Sequence, residues 1–315
     1  MLITNLILFL IACVILVTAG SFLVKSLSKI GSYLHVSEFV VGFIIMAIAT
    51  SLPELFVGIS SALAKNTALA LGNVIGANIL DLTLVIGIAI LLKRGIVIES
   101  KKTKTDALYM FFIAALPFVL MWVGHLISRI DGIILLGAFF FYARKLYKER
   151  KVFKKEIKDS EKRWEPVLNT AIFIFSLVLL FLSSRFVVKY ATLLSIDLLL
   201  PPILIGLFLV SIGTTLPELT FESRAVLTGH SEMALGDLIG SVIVNSTLVL
   251  GVTALILPIT ANFLLFISSG IFMLIVAFLF ATFVESGNKL YIKEGISLIL
   301  LYVFFIIIEF YIKGL

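Results

Sequence analysis

Two glutamates stand where a carboxylate is hardest to keep. Glu54 closes the run Ala47-Ile48-Ala49-Thr50-Ser51-Leu52-Pro53-Glu54, and Glu218 closes Ser211-Ile212-Gly213-Thr214-Thr215-Leu216-Pro217-Glu218. Each lies inside an apolar segment of membrane-spanning length, where ionisable groups are costly and mark ion or substrate paths. The neighbouring proline removes one backbone hydrogen bond and crowds the preceding turn. Pro53 cannot donate to the Ala49 carbonyl. Freed carbonyls near Ala47–Thr50, the hydroxyls of Thr50 and Ser51, and Glu54 one turn on are therefore expected to converge. The second run offers carbonyls near Ser211–Thr214 together with Thr214, Thr215 and Glu218. This all-oxygen set, without histidine or thiol, suits Na+ or Ca2+ rather than zinc or copper. Two kinked helices with satisfied glutamates would be the plainer explanation, but neutral residues kink a helix at less cost.

A second pair of motifs adds donors. Leu71-Gly72-Asn73-Val74-Ile75-Gly76-Ala77-Asn78-Ile79-Leu80-Asp81 is matched by Leu235-Gly236-Asp237-Leu238-Ile239-Gly240-Ser241-Val242-Ile243-Val244-Asn245. Gly72/Gly76 and Gly236/Gly240 make small-xxx-small faces that let helices approach closely. Asp81 and Asn245 occupy equivalent interior positions and read as further ligands. Asp237, opposite Asn73, reads as a helix-start or packing group. Glu222, where the first half has Gly58, is expected to reach water with Arg224. Lys25 and Lys189 read as snorkelling side chains, and Trp122 and Trp164 as interface anchors. His35, His125 and His230 fall near segment ends, so no buried histidine relay is expected. Cys13 in its apolar run reads as helix packing, with no disulfide framework.

The elements that must hold these groups follow from composition. The 315 residues are 61% hydrophobic and only 14% charged, with mean hydropathy +1.18. Soluble domains carry roughly 25% charged residues, so the chain reads as an all-α integral membrane protein. The apolar runs are about 20 residues long, the length of helices rather than barrel strands. Ten transmembrane helices are expected, near 2–22, 36–60, 68–92, 106–126, 130–147, 167–187, 198–224, 233–256, 260–284 and 294–312. The net charge of +6 reads as membrane topology rather than nucleic-acid binding. Leu2–Ala19 lacks a basic flank and reads as a retained first helix. The long polar stretch, residues 144–166, reads as a basic cytoplasmic linker. With it inside, both termini fall outside, and 20 of the 25 Lys and Arg residues collect on the cytoplasmic side.

An offset of 164 residues aligns Gly42/Gly206 through Gly87/Gly251 without gaps, with 18 identities in 46 pairs. Among them are Thr50/Thr214, Pro53/Pro217, Glu54/Glu218, Gly72/Gly236, Gly76/Gly240 and Thr83/Thr247. The chain divides accordingly into a first repeat at 1–143 (core 42–87), the linker at 144–166, and a second repeat at 167–315 (core 206–251). Five segments per half is an odd number. The expected architecture is two inverted five-helix repeats, with discontinuous helices at a central ion site, as in secondary transporters.

These paired G-x₇-T-[ST]-LPE and LG-[ND]-x-IG motifs resemble the α-repeats of the calcium/cation antiporter superfamily, most closely prokaryotic sodium/calcium exchangers. The resemblance spans both repeats and nearly the whole chain. It implies four central residues, Glu54, Asp81, Glu218 and Asn245, with surrounding ligands at Ala47, Thr50, Ser51, Ser211, Thr214, Thr215 and Ser241. It also implies a first and a sixth helix that slide past the core during alternating access, and a prokaryotic cell membrane as the location. Three positions depart from the pattern. Asp81 and Asn245 exchange the places of the usual asparagine and aspartate, Ala77 stands for a serine, and Ser211 replaces a small apolar residue.

With Glu54, Asp81 and Glu218 ionised the site carries −3, which three Na+ neutralise and one Ca2+ reduces to −1. Exchange of Ca2+ for Na+ is the expected function, with Ca2+/H+ antiport as the alternative and K+ dependence a further one. The ions are cargo, and no cofactor is expected. Membrane lipid is the expected surrounding, with no nucleic acid and no obligate protein partner, and a monomer could suffice. A passive channel would not explain two carboxylates on broken helices. An intramembrane serine hydrolase would need a base near Ser51 or Ser60. An aspartyl protease would need G-x-G-D wording that Leu235-Gly236-Asp237 lacks and a Tyr-Asp context that Asp81 lacks. No enzyme is expected.

Overall fold

The computed structural model describes residues 2–33, 46–98, 100–149 and 165–312. The first half opens with one long helix, α1 (Leu2–Tyr33). Then come two short pieces, α2 (Ala47–Thr50) and α3 (Leu52–Leu63), parted at Ser51. The next rod is α4 (Thr67–Leu80), a wide π-helical turn π1 (Asp81–Val85), and α5 (Ile86–Lys93). A short strand β1 (Ile96–Val97), α6 (Lys101–Gly124) and α7 (Arg129–Glu149) complete the half.

The second half repeats the series. It runs α8 (Glu165–Asp197), α9 (Pro202–Leu204), π2 (Ile205–Val210), α10 (Ser211–Thr214), α11 (Leu216–Leu227), α12 (Ser231–Val244), π3 (Asn245–Val249), α13 (Leu250–Ile256), α14 (Phe263–Ser286), β2 (Lys289–Leu290) and α15 (Ile292–Ile312). Among the described residues seven helices are long and apolar enough to cross a membrane, and Pro202–Thr214 with Leu216–Leu227 form an eighth span bent by 41°. The protein is an all-α integral membrane protein.

Several boundaries differ from expectation. The first and sixth segments, expected to stop near 22 and 187, continue to Tyr33 and Asp197. Lys25, Lys29, Arg185 and Lys189 therefore lie within helices rather than in connecting breaks. Lysine and arginine are good helix formers, and a charge alone does not end a helix. Likewise α7 absorbs Arg144–Glu149 from the expected linker. At its other end α8 takes in residues 165–166 of that stretch; residues 150–164, with Trp164, and the segment holding His35 and Gly42 lie outside the described residues.

The two ends of the bundle are tied by matching devices. At one end β1 pairs antiparallel with β2, Ile96 opposite Leu290 and Val97 opposite Lys289. Glu232, early in α12, accepts there from Ser100 N (3.0 Å) and Thr103 Oγ1. At the other end Ile127 and Ile259 form an isolated antiparallel bridge, and Thr67 Oγ1 donates to the Pro258 carbonyl (3.3 Å). The 164-residue offset carries the Ile96–Leu290 rung to Thr260 and Leu126, the rung next to that bridge in the same register. A 24-residue helix, α6, separates the two devices. Equivalent antiparallel pairings between the halves thus cap opposite ends, the arrangement that inverted repeats produce.

The halves interlock rather than sit side by side. α3 packs on α13 and α11 on α5, α6 packs on α12 and α14 on α4, and α1 lies along α8. The contacts of α4 with α9 and π2 explain two glycines: a Cβ at Gly72 would lie 2.0 Å from the Ile203 carbonyl oxygen, and one at Gly206 2.2 Å from that of Leu69. On the outer side α1 crosses both helix breaks. A Cβ at its Gly20 would meet Pro217 Cγ at 3.1 Å and Pro53 Cγ at 3.3 Å. Buried Cys13, on the same helix, packs toward Gly213.

Candidate functional site

The two prolines open helices instead of kinking them. Pro53 and Pro217 are the second residues of α3 and α11, where a missing N–H goes unneeded. The breaks fall at Ser51 (φ −79°, ψ 2°) and Thr215 (φ −82°, ψ −5°). Of the carbonyls expected to stand free, those of Ala47 and Ser211 are engaged by neighbouring groups. Thr50 Oγ1 donates to the Met46 carbonyl (2.9 Å), Ser51 N to that of Ala47 (3.3 Å), and Thr215 Oγ1 to that of Ser211 (2.7 Å). Serine and threonine bond back onto the preceding turn in this way whenever the helix ladder loosens. Ser211 Oγ bonds to the Leu207 carbonyl (2.6 Å), and buried Ala47 can offer only its backbone. Ser51 Oγ has no hydrogen-bond partner.

From each break a polar stripe runs at four-residue spacing, one side chain per turn on one helix face. Thr50, Glu54 and Gly58 form the first, and Asn73, Ala77 and Asp81 the second. In the other half the stripes are Thr214, Glu218 and Glu222, then Asp237, Ser241 and Asn245. They meet crosswise between halves. Thr50 Oγ1 lies 3.2 Å from Asp237 Oδ1 and 3.1 Å from Ser241 Oγ. Thr214 Oγ1, related to Thr50 by the offset, lies 3.1 Å from Asn73 Oδ1. Thr214 is also within electrostatic reach of Glu54, although its hydrogen bonds go to Asn73 and the Ser211 carbonyl.

Asp81 and Asn245 each begin a π-helical turn. Thr83 and Thr247, two residues further on, bond back to the Ile79 and Ile243 carbonyls. Such one-turn widenings are frequent at functional sites and re-aim the side chains beside them.

Every carboxylate here is fully buried, and most of their oxygens have no hydrogen-bond partner. Both oxygens of Glu54, Asp81, Glu218 and Glu222 are unpaired, as are Asp237 Oδ2 and both amide atoms of Asn245. Asp81 lies within electrostatic reach of Glu54 and Asp237, Glu218 of all three, and Glu222 of Asp237 and Asp81. Buried polar groups are nearly always paired, so a concentration of orphaned acceptors marks a place prepared for cations.

One sequence expectation is corrected: Glu222 does not reach water with Arg224, being 0% exposed. Of the two readings of Asp237, helix start and packing group, the first falls away, because Asp237 sits in the interior of α12 and receives Thr50. Both carried a signal in the sequence, Glu222 by standing one turn beyond Glu218 and Asp237 by standing two turns before Asn245. Asn73 joins the contact network through Thr214, and Asn78, off those stripes, donates to Ser246 Oγ (3.0 Å) of the other half. Among the described residues no three Asp, Glu, His or Cys side chains cluster to hold a metal ion by themselves. A cation here would draw on hydroxyl, amide and carbonyl oxygens around fewer carboxylates, the donor mix that hard cations accept.

Comparison with known proteins accords with this construction. Residues 4–147 and 168–311 match the sodium/calcium exchanger protein family, once per half. The chain is 30% identical over 352 residues to the sodium/calcium exchanger MaX1 of Methanosarcina acetivorans, covering 99% of this chain and 100% of that one. It is 29% identical over 284 residues to the inner membrane protein YrbG of Escherichia coli, covering 87% and 86%. Its fold is similar to a solved structure of the sodium-calcium exchanger NCX_Mj soaked with Na+ and Sr2+, at TM-score 0.70 and 26% identity, covering 97% of this chain and 99% of the other.

Proposed function

The chain belongs to the sodium/calcium exchanger family, and from that membership we propose that it exchanges Ca2+ for Na+ across a prokaryotic cell membrane. It is a multi-pass cation exchanger and not an enzyme. The observation that supports a cation site here is the pair of broken helices, which bring Glu54 and Glu218 into the protein interior from both halves with all four oxygens unpaired. Glu54, Glu218, Asp81 and Asn245 form the centre. Thr50, Ser51, Thr214, Thr215 and Ser241 contribute hydroxyls, and Ala47 and Ser211 contribute carbonyls as the helix breaks relax.

Ca2+ and Na+ compete for the same oxygens. An empty set of buried carboxylates presents a steep barrier to closure in a low-dielectric interior, and a neutralised set does not. Exchange is therefore obligatory. Access alternates as α1, which lies across the breaks, and α8, which packs along it, move against the core. The termini face outside and residues 144–166 face the cytoplasm, following the lysine and arginine bias.

Radiolabelled Ca2+ flux into proteoliposomes, under separately imposed Na+, K+ and proton gradients, tests the proposal. Uptake driven by the Na+ gradient and lost in Glu54→Gln is the expected result. Uptake indifferent to Na+ overturns sodium coupling, and uptake driven by the proton gradient instead identifies a Ca2+/H+ antiporter.

A further inference from the structure

Where α4 packs against π3, one buried asparagine reaches across to the neighbour of another. Asn78 of α4 is 0% exposed and donates through Nδ2 to Ser246 Oγ at 3.0 Å, and toward Met273 Sδ of α14 at 3.6 Å. Its Oδ1 has no hydrogen-bond partner. Ser246 is the second residue of π3 and follows Asn245, whose own Oδ1 and Nδ2 are both unpaired. The first half thus takes hold of the second at the turn that carries Asn245.

The mirrored position has no such tie. The 164-residue offset relates Asn78 to Val242 and Ser246 to Leu82, both buried. α12 packs against π1 as α4 does against π3, with side chains at these two positions that cannot hydrogen-bond. The other fastenings of the two turns match, since Thr83 and Thr247 each bond back to the preceding turn. The Asn78–Ser246 bond is the difference between them.

Stability does not account for that difference. One hydrogen bond between neutral partners contributes less than it costs to bury the unpaired Oδ1 of the same amide, and apolar partners of similar shape can replace such a pair at little loss. The residues that open the turns do account for it. π1 begins with Asp81 and π3 with Asn245. A carboxylate has two equivalent oxygens and a net charge that attracts a cation over several ångströms. An amide has one oxygen, an NH2 group that repels the cation, and no net charge. It contributes only at contact and in one orientation. The turn bearing the amide must therefore be set more closely than the turn bearing the carboxylate.

We propose that Asn78 is a positioning residue, which fixes π3 through Ser246 so that Asn245 meets a central cation with its oxygen. The proposal rests on the central site described above, with Asn245 as one of its ligands.

Equilibrium dialysis of the full-length protein in detergent, with radiolabelled Ca2+ and no Na+, tests it in wild type, Asn78→Val, Asn245→Asp and the double variant. Asn78→Val is expected to weaken Ca2+ binding by about 10–100-fold, as loss of a group that supports a metal ligand does. The ion-free melting temperature is expected to be unchanged or higher. In the Asn245→Asp background, whose carboxylate needs no such setting, the same change is expected to lose most of its effect. Ser246→Ala removes the acceptor, is expected to repeat the pattern, and supplies the measurement if Asn78→Val does not fold. Equal losses in both backgrounds, or no loss in the wild-type background, overturn the proposal. A loss accompanied by a lower ion-free melting temperature also overturns it, by marking Asn78 as packing. The expected pattern without Na+-driven Ca2+ flux in wild type keeps the role of Asn78 and removes sodium coupling, whereas Na+-driven flux with equal losses keeps exchange and removes that role.

Discussion

A buried carboxylate with no partner is a stored instability, and Glu54 shows its two faces. Both its oxygens are unpaired in a fully buried position. Glu54→Gln removes a charge the ion-free protein does not compensate, so its melting temperature without Na+ or Ca2+ should rise, by the equivalent of about 1–3 kcal/mol. The same change should cut Ca2+ flux by about two orders of magnitude. Thermal melts and flux on one preparation read both, and a variant that loses stability along with flux would place Glu54 in packing instead. The Asp81/Asn245 pair permits a subtler exchange. The double change Asp81→Asn with Asn245→Asp conserves total charge but moves one carboxylate across the pseudo-two-fold. It should shift the apparent Ca2+ affinities measured from the two membrane faces in opposite directions, by about tenfold. Sidedness unchanged in oriented vesicles would count against a one-sided charge. At this scale the motifs made the interior placement of Glu54, Glu218, Asp81 and Asn245 legible from type and spacing, and all four are buried. Glu222 was misread because exposure is not written in sequence: a glutamate two residues before Arg224 looks solvated until its full burial is seen.

The helical elements carry their information unevenly. Proline announces a break, and both breaks fall within two residues of Pro53 and Pro217. The three π-helical turns were not legible, since a single residue added to one turn leaves the apolar pattern almost unchanged. Nor were the full lengths of α1 and α8, whose basic residues read as ends. The glycine pairs, legible only as close-packing faces, acquire a specific partner in the carbonyls they meet. Gly72→Ala would drive a Cβ to 2.0 Å from the Ile203 carbonyl oxygen, where backbone must move. A loss of about 1–3 kcal/mol follows, visible as a lower melting temperature in detergent. Unchanged melting would mean that α4 and α9 are free to separate.

The whole molecule is held by its cargo as well as by its packing. Thr50 of one half reaches Asp237 of the other, and Thr214 reaches Asn73, so any ion between these stripes joins the two repeats. Ca2+ at a hundred times its dissociation constant should stabilise the fold by about 2.7 kcal/mol. A melting temperature that climbs with Ca2+ in wild type and stays flat in Glu54→Gln would register it, and a flat response in wild type would contradict binding between the halves. The unequal charges at Glu222/Gly58, Asp237/Asn73 and Asp81/Asn245 were legible from the repeat, whereas the full burial of Glu222 and Asp237 and the packing of one half into the other were not. One more consequence lies in α1. Its 32 residues make a rod of about 48 Å, against a hydrocarbon layer of about 30 Å. Such a rod must lean or protrude, and its lean depends on the thickness of the lipid around it. Because Gly20 on that rod rests against both Pro53 and Pro217, membrane thickness acts as a mechanical input to the ion site. Transport rate should therefore vary when acyl chains are shortened or lengthened at constant headgroup, and a rate indifferent to chain length would show that α1 is uncoupled from the breaks it touches.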